Sequence, residues 1–285
     1  MKFGTNLSFT AMKQDPKLIR EFAQTLDREG MDYMTIAGHL LSQPEGTYSD
    51  RPPATFIGPF REPFVMYAHL SALTSRLEFF TSIMILPEMP AALVAKQAAE
   101  LAIFSDNRFN LGVGLSWNED EYEALGADVH TRGARMAAQI PLMRKLWSEP
   151  FVTHEDKFHK LHNIGLNQLP SQPVPVWIGG GADERVLRRI ARLADGWLPM
   201  GDPAPNVPRM HEYLREYGRQ PSDLKLMGRV GIAQGGADDW LKEGHRLKDL
   251  GATHLTLGAA PDATPQQELE TTLRAREALA KDGSL

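Results

Sequence analysis

Three consecutive glycines stand where a phosphate group could bind. Gly179, Gly180 and Gly181 follow the apolar run Val174–Ile178 and precede a helical pattern that begins at Asp183. A strand that passes through glycines into a helix amino terminus presents backbone N–H groups and the positive end of the helix dipole to an anion. Glycine also lets the anion approach the backbone closely. The pattern therefore favours phosphate binding over a tight turn without a ligand.

A second pair of glycines, Gly112 and Gly114, ends another apolar run. The segment Gly112–Trp117 resembles the start of a dinucleotide fingerprint, but that fingerprint requires glycine where this chain has Trp117. The residues that follow have a helical pattern, which leaves no second strand to carry the acidic residue of the fingerprint. This excludes NAD binding by that route. The two glycines would instead let a flat ring lie against the strand end, where Asn118 could hydrogen-bond it.

His39 follows the second predicted strand and is the candidate proton donor or acceptor, since imidazole exchanges protons near neutral pH. The alternative is a histidine that only anchors the chain through a hydrogen bond. His39 also begins an irregular stretch between Ala37 and Glu62 that contains four prolines and the aromatic residues Tyr48, Phe56 and Phe60. Irregular segments of this length in a compact domain are usually functional.

Other residue types carry less chemistry. His154 and His159 are five positions apart, so on a helix they would not share a face, and neither they nor His162 have carboxylates at ligand spacing. We therefore predict no metal site. The acidic run Glu119–Glu121 is interpreted as solvated charge that complements a helix dipole. The motifs of serine hydrolases and P-loop proteins are absent from the sequence.

Hydrophobic periodicity predicts eight strands, each followed by helix. The strands fall at Lys2–Ser8, Asp32–Ala37, Leu77–Leu86, Arg108–Gly114, Val174–Ile178, Gly196–Met200, Leu224–Ala233 and Thr253–Leu257. Eight βα units in 285 residues predict a (β/α)₈ TIM barrel, with its chemistry at the carboxyl ends of the strands. A doubly wound open sheet is the alternative. We expect one domain over residues 1–285, with a long loop after the second strand and an insertion, residues 151–173, before the fifth.

Composition excludes several classes of protein. The 285 residues contain 31 basic and 36 acidic side chains, for a net charge of −5, and no cysteine. There is no basic stripe for nucleic acid, no apolar run of membrane-spanning length and no signal-peptide pattern at the amino terminus. These features favour a cytoplasmic enzyme that acts on a small molecule, without nucleic-acid or membrane partners.

Several motifs resemble the bacterial luciferase-like family, and they do so in the family's order. They are residues 77–86 (LEFFTSIMIL), 108–117 (RFNLGVGLSW), 174–180 (VPVWIGG) and 194–197 (ADGW). The second and the last of these look most like members that use the deazaflavin coenzyme F420. The resemblance implies a (β/α)₈ barrel that binds a flavin-like ring at the carboxyl ends of its strands.

The resemblance also implies roles for individual residues. A non-prolyl cis peptide at Ser82–Ile83 would support the ring, and His39 matches the active-site histidine of deazaflavin-dependent sugar-phosphate dehydrogenases. Gly38 stands where those relatives have a cofactor-contacting aspartate, and Leu115 where they have a catalytic glutamate, so sugar-phosphate oxidation is not expected. The remaining implied contacts, to the ring, tail or phosphate of the cofactor, are Gly112, Gly114, Asn118, Gly179, Gly180, Gly181, Met200 and Gly201.

The sequence thus predicts an oxidoreductase that transfers a hydride between coenzyme F420 and a small organic substrate of apolar or aromatic character. One alternative is an FMN-dependent monooxygenase that uses oxygen and receives reduced flavin from a separate flavin reductase. The other is a non-catalytic flavin-binding protein on the same fold. A second copy of the chain, in a homodimer, is the expected protein partner.

Overall fold

The structure, a computed structural model, describes residues 1–7, 15–42, 60–260 and 263–285. The irregular stretch that follows the second strand is therefore described only at its two ends. Its aromatic residues Tyr48 and Phe56 lie outside the described residues, whereas Phe60 lies within them.

Eight parallel strands close into a barrel. They are β1 (Lys2–Asn6), β2 (Tyr33–Gly38), β3 (Glu78–Ile85), β4 (Phe109–Gly114), β7 (Val176–Gly180), β8 (Gly196–Pro199), β9 (Lys225–Gly231) and β10 (Ala252–Gly258). They are neighbours in this order, and β10 pairs with β1 to close the ring. The predicted TIM barrel is confirmed, and the open doubly wound sheet is wrong because β1 has a partner on each side.

Helices surround the barrel: α1 (Pro16–Arg28), α2 (Pro63–Ser71), α3 (Ala91–Phe104), α4 (Glu119–Ala124), α5 (Arg132–Ser148), α6 (Glu184–Leu193), α7 (Val207–Glu216), α8 (Ala237–Asp249) and α9 (Pro265–Lys281). Their ends have the expected chemistry. Asp15 accepts a hydrogen bond from the amide of Lys17 and precedes Pro16, which has no N–H to leave unsatisfied.

The insertion before β7 is an antiparallel hairpin of β5 (Val152–Glu155) and β6 (Lys160–Ile164). Each barrel helix returns the chain from the carboxyl ends of the strands to their amino ends. The hairpin follows α5 and precedes β7, so it lies toward the amino ends of the strands, on the side of the barrel opposite the carboxyl ends.

Aromatic side chains fill the amino half of the barrel interior. Tyr33, Phe80 and Trp177 are fully buried there, and their rings lie 4.9–5.8 Å from the imidazole of His254. Burial, together with the charges of Lys2 and Lys225, lowers the pKa of His254 to about 3, so its ring is neutral. These side chains fill the amino half of the barrel interior, so a ligand inside the barrel would lie toward the carboxyl ends of the strands.

Candidate active site

A histidine and a glutamate meet at the carboxyl ends of β2 and β4. His39 is the residue after β2, and Glu121 lies in the first turn of α4. The Nδ1 atom of His39 is 2.7 Å from Oε2 of Glu121. The Glu121 side chain is 0% exposed, whereas that of His39 is 20% exposed. The pair therefore joins a fully buried carboxylate to an imidazole that solvent or a substrate can reach.

Glu121 also fixes the start of the long loop. Its Oε1 accepts hydrogen bonds from the backbone amides of Leu40, at 2.7 Å, and Leu41, at 3.1 Å. The Asn118 side chain caps α4 by accepting from the Glu121 amide, and its Nδ2 donates to Oε2 at a longer 3.4 Å. One carboxylate thus positions both the His39 ring and the backbone that follows it.

The hydrogen bonds keep Glu121 ionised despite its burial. Burial opposes ionisation, but the donors from His39, Leu41 and Leu40 outweigh it and lower the pKa of Glu121 below its usual value. A carboxylate can only accept hydrogen bonds, so the Nδ1 atom of His39 carries a proton. That leaves Nε2 as the ring atom available to a substrate, the arrangement by which a carboxylate orients a catalytic imidazole.

The sequence interpretation of Glu119–Glu121 as solvated dipole charge is wrong for Glu121, which is 1% exposed. Asn118 and Glu121 have the spacing of a capping box, in which the glutamate would bond the helix's own first amide. Glu121 instead reaches the backbone of a loop 80 residues away in sequence. The spacing of Asn118 and Glu121 correctly indicates the start of a helix. The groups that the Glu121 carboxylate binds are visible only in the folded barrel.

The third strand has the irregularity that the family resemblance implied. The Ser82–Ile83 peptide bond is cis, and the pairing register of β3 shifts between Phe80 and Met84. The Ile83 side chain lies between two glycines, since a Cβ on Gly114 or on Gly179 would come within 2.6 Å of it. This bulge points toward the carboxyl end of the barrel, where a flat ring would have to lie.

The glycines of β4 and β7 are explained by packing. A Cβ on Gly112 would stand 1.8 Å from the Thr81 carbonyl oxygen, and one on Gly180 would stand 2.2 Å from Val186. β3 and α6 therefore occupy the space where these β-carbons would stand, and the expected contacts of Gly112 and Gly114 with a ring and of Gly180 with a phosphate group stay predictions. Gly38 likewise faces the ring of Pro63, at 2.7 Å.

Gly181 and Gly201 remain open to a ligand. A Cβ on either would meet no atom of the described residues within 4 Å, and Gly201 has a φ of +84° that favours glycine. Met200 beside it is 77% exposed. The amides of Arg185 and Val186 are not free for an anion, because the Asp183 side chain already caps them. The predicted phosphate contact of Gly179, Gly180 and Gly181 stays a prediction, and of the three only Gly181 has open space where a β-carbon would stand.

A cationic cavity that the sequence analysis missed lies beside this position. It has a volume of about 460 Å³ and is bounded by Leu115, Asp183, the first turn of α5 with Arg132, and the first two turns of α6 with Arg185 and Arg189. Burial and the charge of Arg192 lower the pKa of Arg189, and the charge of Asp183 opposes this shift. Among the described residues, the buried Nη1 atom of Arg189 has no hydrogen-bond partner. Guanidinium groups bind phosphate.

A second buried carboxyl group lies at the end of β3. Glu88, in the short 3₁₀ turn Leu86–Glu88, is 4% exposed, and neither of its oxygens has a hydrogen-bond partner among the described residues. Burial, reinforced by the charge of Glu121, raises the pKa of Glu88 to about 9. The site therefore combines two different carboxyl groups. Glu121 is ionised because its hydrogen bonds lower its pKa, and Glu88 is protonated because burial without hydrogen bonds raises its pKa.

Comparison with known proteins assigns the chain to a family. The sequence profile of the luciferase-like monooxygenases matches residues 1–282, and the chain belongs to this family of enzymes. An uncharacterized protein of Mycobacterium tuberculosis is 36% identical over 234 residues, which cover 79% of this chain and 77% of that protein. An F420-dependent glucose-6-phosphate dehydrogenase of Kineococcus radiotolerans is 28% identical over 64% of this chain and 52% of its own length.

Solved structures agree on the fold. An F420-dependent secondary alcohol dehydrogenase, in complex with an F420–acetone adduct, superposes with a TM-score of 0.80 at 17% identity, covering 98% of each chain. The monooxygenase RslO1 of Streptomyces bottropensis gives a TM-score of 0.79 at 18% identity, covering 99% of this chain and 100% of that one. No helix in the described part of the chain is long and apolar enough to cross a lipid bilayer.

Glu121→Gln should destabilise the protein by about 1–3 kcal/mol at neutral pH, because the amide cannot replace a buried, charge-assisted acceptor. The lowered pKa of Glu121 means that the wild-type advantage exists above about pH 4.5 and disappears as the pH falls through the folded-state value. Urea unfolding at several pH values measures both effects. Glu123→Gln, at an exposed position on the same helix, is the control, and equal midpoints for the two variants would contradict the assignment.

Glu88→Gln should stabilise the protein, and increasingly so at higher pH. The unfolded carboxyl group loses its proton near pH 4.5 while the folded one keeps it to about pH 9, so wild-type stability falls as the pH rises through this window. The gap between variant and wild type should widen by at most about 1.4 kcal/mol per pH unit. Thermal unfolding at pH 5, 7 and 8.5 tests this, and a gap that does not change with pH would show that Glu88 ionises normally.

Proposed function

We propose that the chain is an oxidoreductase that transfers a hydride between coenzyme F420 and a small organic substrate. The observation that carries the proposal is the His39–Glu121 pair at the carboxyl ends of β2 and β4, a proton-transfer group positioned by a buried carboxylate. F420-dependent proteins among both the sequence relatives and the structural neighbours support the choice of cofactor. When bound, the deazaflavin supplies the hydride chemistry.

The residues that would hold the cofactor lie on adjacent strand ends. The Ser82–Ile83 bulge of β3 would support the ring, and Gly181 would face the phosphate with the arginines of the cationic cavity. Gly114 of β4 and Gly179 of β7 contribute indirectly, because the Ile83 side chain occupies the space that their β-carbons would take. This arrangement fits a group that is flat at one end and anionic at the other.

His39 would transfer the proton that accompanies the hydride. Reduction of a carbonyl group adds a hydride to carbon and a proton to oxygen, and the Nε2 atom of His39 would supply or accept that proton, depending on direction. Glu121 would stabilise the imidazolium form and keep the ring in one orientation. Phe60, whose ring centroid lies 4.9 Å from that of His39, contributes an apolar wall that suits an apolar or aromatic substrate.

An FMN-dependent monooxygenase is the second candidate. The likeness to a monooxygenase structure over the whole barrel keeps it open, and the cationic cavity would fit the terminal phosphate of FMN as well. In that case a separate flavin reductase is the expected partner. The third possibility is a flavin-binding protein without turnover. It would give the His39–Glu121 pair no role in proton transfer.

The choice between cofactors is tested by side-by-side titration of the pure protein with F420 and with FMN, followed by fluorescence quenching. We expect the deazaflavin to bind more tightly. Arg189→Gln should weaken its binding roughly 10–100-fold, the loss expected for a buried charged hydrogen bond, whereas the exposed control Arg192→Gln should not. Tighter FMN binding with oxygen consumption would instead establish the monooxygenase, and equal effects of both arginine variants would reject the phosphate contact.

The role of His39 is tested by two substitutions. His39→Ala should lower turnover of reduced F420 with a panel of small carbonyl compounds by about 10²–10⁴-fold, with little change in cofactor affinity. His39→Gln keeps a donor for Glu121 but cannot exchange protons, so it should match the alanine variant. If His39 only anchors the loop, the glutamine variant would keep near-normal turnover, and the catalytic assignment would fall. His69→Gln, at an exposed position on α2, is the control.

A further inference from the structure

Two histidines and an aspartate converge at the turn of the β5–β6 hairpin. His154 is on β5, Asp156 begins the turn, and His159 directly precedes β6. The Nε2 atom of His154 lies 2.8 Å from Oδ2 of Asp156, and Nδ1 of His159 lies 3.1 Å from Oδ1. One potential ligand atom from each residue falls within 4.8 Å of the other two.

The spacing suits a small divalent cation. Zinc binds imidazole nitrogen and carboxylate oxygen at about 2.0–2.2 Å in tetrahedral geometry, so neighbouring ligand atoms stand about 3.3–3.5 Å apart. The observed nitrogen–oxygen separations of 2.8 and 3.1 Å need to open by only a few tenths of an ångström to match, and the two imidazole nitrogens, which lie within 4.8 Å of each other, must reach the same spacing. Imidazole and carboxylate are also a donor set that zinc uses in proteins with three protein ligands and one open position.

The backbone holds the carboxylate ready. Oδ1 of Asp156 accepts hydrogen bonds from the amides of Phe158, at 2.7 Å, and His159, at 2.8 Å. A ligand fixed in this way loses little conformational freedom when a metal binds.

The hydrogen bonds within the hairpin leave one ring nitrogen of the cluster unpaired and one side of the cluster exposed to solvent. The side chain of His159 is 9% exposed, and its Nε2 atom has no partner in the described part of the chain although Nδ1 faces Asp156. His154 and Asp156 are 20% and 25% exposed, so one side of the cluster is open to water. A fourth ligand from solvent can therefore reach a bound ion.

The sequence interpretation rejected a metal because it placed these histidines on a helix, where five positions separate them by more than a quarter turn. The structure places them across a tight turn between paired strands, where the same separation brings them together. The intervening Asp156, which had no role in the helical interpretation, supplies the carboxylate.

We propose that His154, Asp156 and His159 bind a divalent transition-metal ion, of which Zn²⁺ best fits the ligand set, and that this ion clips the hairpin turn. The hairpin has only two strands and is anchored to the core by Val152, and the chain has no cysteine to brace its turn with a disulfide. The site lies toward the amino ends of the barrel strands, so it would act on stability, and it is independent of the proposed redox function.

The test uses the full chain with any purification tag removed. Calorimetric titration with Zn²⁺ should give one site per chain, and Co²⁺ should give the visible absorption of a tetrahedral complex. His154→Gln, Asp156→Asn and His159→Gln should each weaken Zn²⁺ binding at least tenfold. His162→Gln, at an exposed position on β6 outside the cluster, is the matched control and should bind as the wild type does.

Zn²⁺ should also raise the melting temperature of the wild type and of His162→Gln but not that of the cluster variants, because a ligand stabilises only the state it binds. If His159→Gln fails to fold, the more exposed His154→Gln carries the comparison. Failure of the wild type to bind at a single site, or an equal loss in His162→Gln, would overturn the proposal and leave the cluster as a hydrogen-bonded turn. Cofactor binding should be the same with and without chelator, which separates this outcome from that of the redox assignment.

Discussion

The buried carboxylate of Glu121 is the constraint on which the active end of the barrel depends. A charge with no exposure must be matched by donors, and here the donors come from another part of the chain: the ring of His39 and the amides of Leu40 and Leu41. Leaving those donors unpaired would cost more than the interactions contribute. The segment after β2 is therefore fixed at its first residues, whatever the rest of the loop does, and the imidazole is held in one tautomer beside the strand ends.

The β3 bulge imposes the second constraint. Its Ile83 occupies the space that β-carbons at Gly114 and Gly179 would take, so the neighbouring strands must be glycine where they pass it. In the proposed function, the bulge would support the flat ring, the His39–Glu121 pair would transfer the proton, and the cationic cavity would bind the phosphate tail.

The barrel could be predicted well from the sequence, because hydrophobic periodicity and helix capping depend on residues that lie close together in the chain. The strand beginning at Tyr33 and the helix capped by Asp15 both have their causes within a few residues. The sequence did not show that packing also requires glycine at residues 112 and 180. Gly112 faces Thr81 of β3, which is distant in sequence, and Gly180 faces Val186, which meets it only when α6 packs on β7. Glu121 and Arg189 were missed for the same reason. A charge that looks solvated beside its sequence neighbours becomes buried only when the strands close.

The position of Ile83 has an evolutionary consequence. Because one side chain is wedged against two glycines from different strands, the three positions cannot vary independently. A β-carbon at Gly114 or Gly179 requires the Ile83 side chain to move or to become smaller. Gly179 meets the branched Cγ2 atom and so leaves less freedom to move than Gly114, which meets the Cδ1 end of the side chain. In related chains, residues 83, 114 and 179 should therefore change together, whereas residues of the surrounding helices should change one at a time.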